Sequence, residues 1–391
     1  MQFLGDYLEK VKAKKLYRQT IVYNPVSATH VQENGQVYLL LASNNYLGLT
    51  HDPVVQQAAI EAVRLYGTGS GGARLTTGTH PLFDELEQEL ANFKDTQAAI
   101  VFNTGYMANV GVISALAGAE DVIFSDELNH ASIIDGCRLS RARVVVYRHS
   151  DMEQLQELLK ATSCRGKRLI VTDGVFSMDG DIAPLDKIVA LAEQYEAIVM
   201  VDDAHATGVI GPGGHGTAAY FGVQDKVQVQ LGTLSKALGA EGGFVAGSQE
   251  LIEYIRNKAR SFIFSTALAP ATIAAGLAAL RQLRAQPALV TRLQENAQLV
   301  RQLLEYAQMP VVLDGVAPII PVIVGDADKA VKLTAELKQQ GIIISAIRPP
   351  TVPVGTSRLR LTVTASHDRK ELAAAVNTIV ATVKQSEMIV R

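Results

Sequence analysis

Gly232-Thr233-Leu234-Ser235-Lys236-Ala237-Leu238-Gly239 sets a lysine three residues after a threonine, and Gly242-Gly243 follows closely. A plain surface turn can carry a lysine, and the stretch by itself admits that reading. It also suits a lysine held against a phosphorylated aldehyde. Lysine amines form Schiff bases best when burial or nearby charge lowers their pKa. Thr233 would offer its hydroxyl to a phosphate on the same face. The neighbouring stretches decide between the two.

Just upstream, Val227-Gln228-Val229-Gln230-Leu231 reads as a strand that delivers the Lys236 loop. Before it, Ala197-Ile198-Val199-Met200-Val201 is an apolar run of the kind buried on both faces of a sheet. It ends in Asp202-Asp203-Ala204-His205. Open α/β sheets bind ligands at the carboxyl ends of their strands. A buried aspartate needs a cationic partner or it takes up a proton, and a pyridinium nitrogen is such a partner.

Leu169 to Thr172 leads into Asp173-Gly174-Val175-Phe176-Ser177-Met178-Asp179-Gly180-Asp181. Its acids lack the spacing and the late Glu of a calcium loop. Asp121 to Asp126 leads into Leu128-Asn129-His130-Ala131-Ser132, and a lone histidine there can be structural or functional. Ala98 to Phe102 turns through Asn103-Thr104-Gly105-Tyr106 into a helix from Met107 to Leu116. Strand, glycine turn and helix N-terminus make a phosphate cradle of free N–H groups.

These strand ends supply every part needed to hold pyridoxal phosphate. Gly105, Tyr106 and Thr233 would take the phosphate, and His130 the ring face. Ser177 and His205 would take the phenolic oxygen, Asp202 the ring nitrogen and Lys236 the aldehyde.

The rest of the chain fits an α/β enzyme. Its 391 residues are enough for two or three domains. Lys+Arg 36 against Asp+Glu 39 leaves little net charge, and no like-charge block invites nucleic acid or an anionic membrane. No apolar run reaches a membrane span. Cys137 and Cys164 form neither a disulfide framework nor a metal set, so a reduced cytoplasmic protein without a metal is expected. Met1 to Arg18 reads as a helix with Leu4, Tyr7, Leu8 and Val11 on one face.

Ser43-Asn44-Asn45-Tyr46 reads either as a tight turn or as an Asn amide aimed into a site. Gly67, Gly69 and Gly72, and again Gly211, Gly213 and Gly216, match the dinucleotide fingerprint only formally. The first follows a helix and the second contains Pro212. Both are expected to be mobile loops beside the substrate. In Arg358-Leu359-Arg360-Leu361-Thr362-Val363, alternation puts the two arginines on one face, either solvated or as a clamp for a carboxylate.

With those residues in hand, the chain resembles the α-oxoamine synthases, of the fold-type I pyridoxal-phosphate enzymes, over nearly its whole length. The likeness rests on Ser43 to Gly48, Gly69 to Gly72, Asn129 to Ser132, Asp173 to Gly180, Val201 to His205, Thr233 to Lys236 and Ala346 to Pro353. The last stretch points to the branch that serves biotin synthesis. Asn45 stands where many members have Asp.

The resemblance implies a mostly parallel seven-stranded sheet with helices on both faces. Expected divisions are an N-terminal arm of helix and strand (1–42), a large domain (43–285) and a small C-terminal α+β domain (286–391). It implies decarboxylative condensation of L-alanine with a pimeloyl thioester, of coenzyme A or a carrier protein. Lys236 would carry the cofactor and move the α-proton, with His130 and His205 as the other catalytic groups.

Arg360 with Asn44 would hold the alanine carboxylate. Arg348, Thr351 and Arg18, the last placed on the first helix, would meet the acyl chain and its far carboxylate, which cannot be buried without a cation. Ser265-Thr266 would reach the phosphate of a neighbouring subunit, making a homodimer with shared sites. The rivals are another α-oxoamine synthase, such as one joining glycine to acetyl-CoA, a cofactor-binding protein without turnover, and a nucleotide-binding oxidoreductase.

Overall fold

The computed structural model describes residues 1–13, 16–311 and 315–388. The last residues of the expected small domain, 389–391, lie outside the described residues. An N-terminal helix, α1 (Gln2–Ala13), is followed by strands β1 (Asn24–Pro25), β2 (His30–Glu33) and β3 (Gln36–Leu40). The helices α2 (Pro53–Tyr66) and α3 (Pro81–Phe93) come next. The strands of the large sheet are β4 (Ala98–Phe102), β5 (Val122–Asp126), β6 (Arg143–Tyr147), β7 (Arg168–Asp173), β8 (Ala197–Asp202), β9 (Val229–Thr233) and β10 (Gly243–Gly247). Helix α4 (Gly105–Leu116) follows β4 and α5 (Ala131–Ser140) follows β5. The C-terminal strands are β11 (Ile319–Gly325), β12 (Ile342–Ile343), β13 (Ser345–Ile347) and β14 (Ser357–Thr362).

The seven strands lie in the order β4-β10-β9-β8-β7-β5-β6, with β10 alone antiparallel to both its neighbours. Alternation along each strand feeds two cores. Ile123, Leu169, Val171, Met200 and Leu231 pack with Val112 and Ile133 of α4 and α5. Phe124, Ile170, Val199 and Val201 pack on the other face with Leu155, Leu185 and Ile188. Burial on both faces is why these strands read as apolar runs rather than alternating ones. The chain reverses direction across the sheet between β5 and β7, which opens a crevice at their carboxyl ends.

Three sequence readings need correction. Arg18 is not on a helix: α1 ends at Ala13 among the described residues, and Arg18 lies in irregular chain. The β-branched run Thr20-Ile21-Val22 disfavours helix there. The apolar face of α1 is also uncovered, with Leu4, Tyr7 and Leu8 exposed. Second, the apolar run Ile342 to Ile347, which its composition alone would make a single strand, is divided. β12 pairs parallel with β3, and β13 pairs with β14 in a separate sheet, so the chain switches sheets at Ile344.

Third, the glycine stretches line neither the cofactor cavity nor the arginine cleft described below, and Gly72 and Gly216 are packed against neighbours, whereas Gly67, Gly69 and Gly71 are exposed. Around Gly72, Ala73 bridges to Thr266, Ala267 N donates to the Gly72 carbonyl, and Arg74 pairs with Glu87 at 2.8 Å. Gly216, at φ 101°, sits against a wholly buried ion pair in which Lys94 Nζ lies 2.7 Å from Asp203 Oδ2. A Cβ at Gly216 would come within 2.1 Å of that carboxylate. Lys94 also donates to the His215 carbonyl, and Asp203 accepts from Thr217 N.

This pair anchors the residue next to Asp202. Lys94→Met leaves the Asp203 charge uncompensated and is expected to cost about 3–5 kcal/mol. Adding Asp203→Leu should recover much of that loss. Urea unfolding of both variants is the check, and a Lys94→Met protein as stable as the parent would overturn the assignment.

Candidate active site

Strands β7 and β8 run in register, so Asp173 and Asp202 end them side by side. Both are buried. Asp202 accepts from Asn109 Nδ2 at 2.6 Å and from Ala204 N at 2.8 Å, both neutral donors. Asp173 accepts from His130 N at 2.7 Å. Burial, then the Asp202 charge beside it, pushes the Asp173 carboxyl well above the ordinary range.

Lys236 lines the cavity above them. Burial lowers its amine from 10.5 to about 8, against the pull of Asp202 and Asp173, and Arg360 lowers it further. A substantial neutral fraction near pH 8 makes it both nucleophile and base.

His130 caps α5. Its Nδ1 accepts from Ser132 N at 3.3 Å and lies 2.7 Å from Ser132 Oγ, which itself accepts from Asn109 Nδ2. Nδ1 is thus the acceptor, and Nε2 carries the proton of the neutral ring. Burial holds the pKa of His130 down, and that of His205 well down.

Thr104 caps α4, taking Met107 N on its hydroxyl and Ala108 N on its carbonyl. The amides of Gly105 and Tyr106 then open toward the cavity, which has a volume of about 220 Å³. The approach needs a glycine opposite: a Cβ at Gly243 would sit 2.6 Å from Gly105 N. The donor set fits pyridoxal phosphate. Helix amides and hydroxyls face an anion at one end, a lysine of lowered pKa stands beside it, and a buried carboxylate without a cation lies at the floor.

The Thr233 hydroxyl now serves the Gly242 carbonyl at 2.6 Å. Its proton would have to leave that carbonyl to reach a phosphate oxygen. Ser235, exposed 2.7 Å away, is a further hydroxyl at the same end that the sequence reading passed over.

Both arginines of β14 are buried, which rules out the solvated reading. They divide their work. Arg358 pairs with Asp179, and Arg360 donates from Nε to the Ser177 carbonyl at 2.6 Å and from its other nitrogens to Asn44 Oδ1 at 3.4–3.5 Å. Asn44 thus turns toward Arg360 without lining the cofactor cavity, whereas Asn45 bonds Thr50 at 2.8 Å and holds the turn.

Arg18, Arg348 and Thr351 share a separate cleft of about 360 Å³ with Leu16 and Ile347. Ser265 and Thr266 do not line this chain's cofactor cavity. Ser265 bonds back to the Ser261 carbonyl, and Thr266 is exposed, its carbonyl held by Asn103 Nδ2 at 2.8 Å.

Four residues of the site had no sequence reading: Asn109, Asp173 as a partner of Asp202, Tyr46 and His149. Tyr46 Oη lies 2.7 Å from His205 Nδ1. His149 bridges Asp126 at 3.0 Å and Asp181 at 2.8 Å, edge-on to Phe176, and so grips the loop that carries Ser177. The one signal available was an aspartate closing β5 as well as β7 and β8; its partners come from distant segments.

Residues 36–379 match the family Aminotransferase class I and II. The chain is 50% identical over 372 residues to the 8-amino-7-oxononanoate synthase of Lysinibacillus sphaericus, covering 95% of each. It is 50% identical over 375 residues to that of Geobacter sulfurreducens, covering 95% of this chain and 96% of the other. Among solved structures, a serine palmitoyltransferase from S. paucimobilis with PLP–myriocin bound superposes with a TM-score of 0.93 at 33% identity, over 98% of both chains. An 8-amino-7-oxononanoate synthase from Francisella tularensis superposes at 0.78 with 30% identity, over 90% of this chain and 99% of that one.

The His149 bridge carries a pH signature. Burial alone would lower the imidazole pKa, but the bonds to Asp126 and Asp181 outweigh it and raise it from 6.5 to about 10. A group whose pKa rises on folding stabilises fully below its unfolded value, here 6.5, and loses that contribution as pH climbs through the folded value. The parent's melting temperature should therefore fall more steeply from pH 6.5 to about 10 than that of His149→Gln. Parallel curves would show that an imidazolium does not hold the loop.

Proposed function

The chain belongs to the class I and II aminotransferase family and, within it, to the 8-amino-7-oxononanoate synthases, and from that premise we propose that it condenses L-alanine with a pimeloyl thioester. The products are 8-amino-7-oxononanoate, CO₂ and the free thiol of coenzyme A or a carrier protein. The observation that carries this reading is the meeting of Asp202 and Arg360 at Lys236. A buried carboxylate that lines the same cavity and a buried guanidinium both act on an amine of lowered pKa.

Pyridoxal phosphate, when bound, supplies an electron sink for the charge left on the amino acid's α-carbon. The protein does the rest. Lys236 would hold the aldehyde and, as a free amine, would move the α-proton. Asp202 keeps the ring nitrogen protonated. His130 covers the ring face, while Ser177 and His205 meet the phenolic oxygen. Gly105, Tyr106 and Thr233 take the phosphate. Arg360, with Asn44, receives the alanine carboxylate.

Arg348, with Arg18 and Thr351, receives the far carboxylate of the pimeloyl chain in the second cleft. Two copies would form a homodimer in which Ser265 and Thr266 of one serve the phosphate of the other. The exposure of Thr266 and of the apolar face of α1 supports that arrangement.

Thiol release and product mass, with alanine or glycine against pimeloyl-CoA, acetyl-CoA and an uncharged acyl-CoA of pimeloyl length, test the reading. The alanine–pimeloyl pair should turn over fastest. A preference for glycine with acetyl-CoA would overturn it. Borohydride reduction of the loaded protein should fix the pyridoxyl group on Lys236, and its recovery on another lysine would refute that role.

Arg348→Ala should lose a charged contact of ~1.5–3 kcal/mol, a drop of roughly ten- to a hundredfold in kcat/KM for pimeloyl-CoA. Alanine α-proton exchange should survive. Unchanged handling of pimeloyl-CoA would make Arg348 structural.

A further inference from the structure

Asn109 lies one turn into α4, on the helix face that Gly105 opens and that lines the cofactor cavity. It is buried, as are its neighbours Asp202 and Ser132. Its NH₂ donates one hydrogen to Asp202 Oδ2 at 2.6 Å and the other to Ser132 Oγ at 2.9 Å. Its carbonyl oxygen, Oδ1, is sealed from solvent and has no hydrogen-bond partner among the described residues.

An unpaired buried amide oxygen costs stability, and an apolar side chain would remove that cost. Packing therefore does not account for an asparagine here. The gain lies at the other end of the amide. Ala204 N holds Asp202 Oδ1 at 2.8 Å, so with Asn109 each carboxylate oxygen has one neutral donor. The second bond, to Ser132 at the first turn of α5, keeps the amide from swinging away.

Toward an ionised carboxylate only the NH₂ end of an amide can serve, and such a bond favours the charged carboxylate over the protonated one. The difference matters once a pyridine nitrogen stands against Asp202, because the two then share a single proton. Whatever stabilises the carboxylate leaves that proton on the nitrogen. Loss of the Asn109 bond would draw it toward Asp202 and make the ring a poorer electron sink.

We propose that Asn109 is a positioning residue for Asp202: its NH₂ holds the carboxylate ionised and in one orientation, and so keeps the shared proton on the ring nitrogen of pyridoxal phosphate. One face of α4 then serves both ends of the cofactor. The amides of Gly105 and Tyr106 meet the phosphate, and one turn on Asn109 acts through Asp202. This role presupposes the contact between Asp202 and the ring nitrogen proposed above.

The test loads pyridoxal phosphate, labelled with ¹⁵N at the ring nitrogen, into the parent, Asn109→Ala, Asp202→Asn and the double variant, without amino acid. The parent's NMR signal should be that of a protonated ring. In Asn109→Ala it should move toward the unprotonated position. The dissociation constant of the cofactor, read by titrating cofactor-free protein, should rise roughly three- to tenfold. Asp202→Asn should show both changes more strongly. Adding Asn109→Ala to it should then change little, since the carboxylate through which Asn109 acts is gone. If Asn109→Ala does not fold, Asn109→Ser takes its place, its hydroxyl one atom shorter than the amide nitrogen.

A parent-like ring signal in the Asn109 variant overturns the proposal. If Asp202→Asn is weakened and the double variant loses affinity by the full product of the two single effects, Asn109 is only a structural link between α4 and α5, and the role of Asp202 stands. If Asp202→Asn keeps the parent's ring signal and affinity, the role proposed for Asp202 fails and that of Asn109 fails with it.

Discussion

A carboxylate sealed at the end of a buried strand, with only neutral donors around it, is the constraint on which this site depends. Asp202 has Asn109 and a backbone amide for company. Two hydrogen bonds do not replace the water that burial removed, so the charge calls for a cation. Asp173 competes less, because burial and the Asp202 charge beside it raise its carboxyl well above the ordinary range. Pyridoxal phosphate is the cofactor that the family and its cofactor-bound structural neighbours show, and its ring nitrogen is the cation proposed to answer that requirement. Lys94 answers the matching requirement one residue on, at Asp203.

The strand ends were legible because a parallel sheet covered on both faces forces apolar runs, and each run stops where chemistry begins. Asp202, Lys236 and the α4 turn sit at such stops. The second glycine stretch misled because a positive φ serves a packed corner as well as an open loop; Gly216 is there to clear the Lys94–Asp203 pair. Arg18 misled because the apolar periodicity of the first helix ends at Val11. Asn109, Tyr46 and His149 were silent because each matters through partners from remote stretches of chain. Asn109 and Asp202 are 93 residues apart in sequence, Tyr46 and His205 159. Pattern along a chain carries no signal of that kind.

The loop from Asp173 to Ile182 shows how much of the site is held from outside. It carries Ser177 and sinks Val175 and Phe176 into the cores. Its polar stretch is further held by Arg358 on Asp179, Arg360 on the Ser177 carbonyl and His149 on Asp181. Two of these cations come from β14 in the C-terminal part of the chain and one from the end of β6. The alternation of β14 that places both arginines on one face is therefore a structural device as well as a binding one. Arg358 fastens the loop, and Arg360, two residues on, reaches past it to Asn44.

That division leaves Arg360 as the charge that opposes protonation of Lys236 from above, while Asp202 and Asp173 favour it from below. The balance changes when an anion docks. On the proposed function, a carboxylate on the Arg360 guanidinium would offset its positive field at Lys236, and the amine would then hold a proton more tightly. The lysine would be closer to its neutral, nucleophilic form before the carboxylate arrives and the stronger base after it. The groups that act on Lys236 are brought together by strand register. Asp173 and Asp202 are paired by β7 and β8, Lys236 is delivered by β9, and Arg360 is carried in by β14.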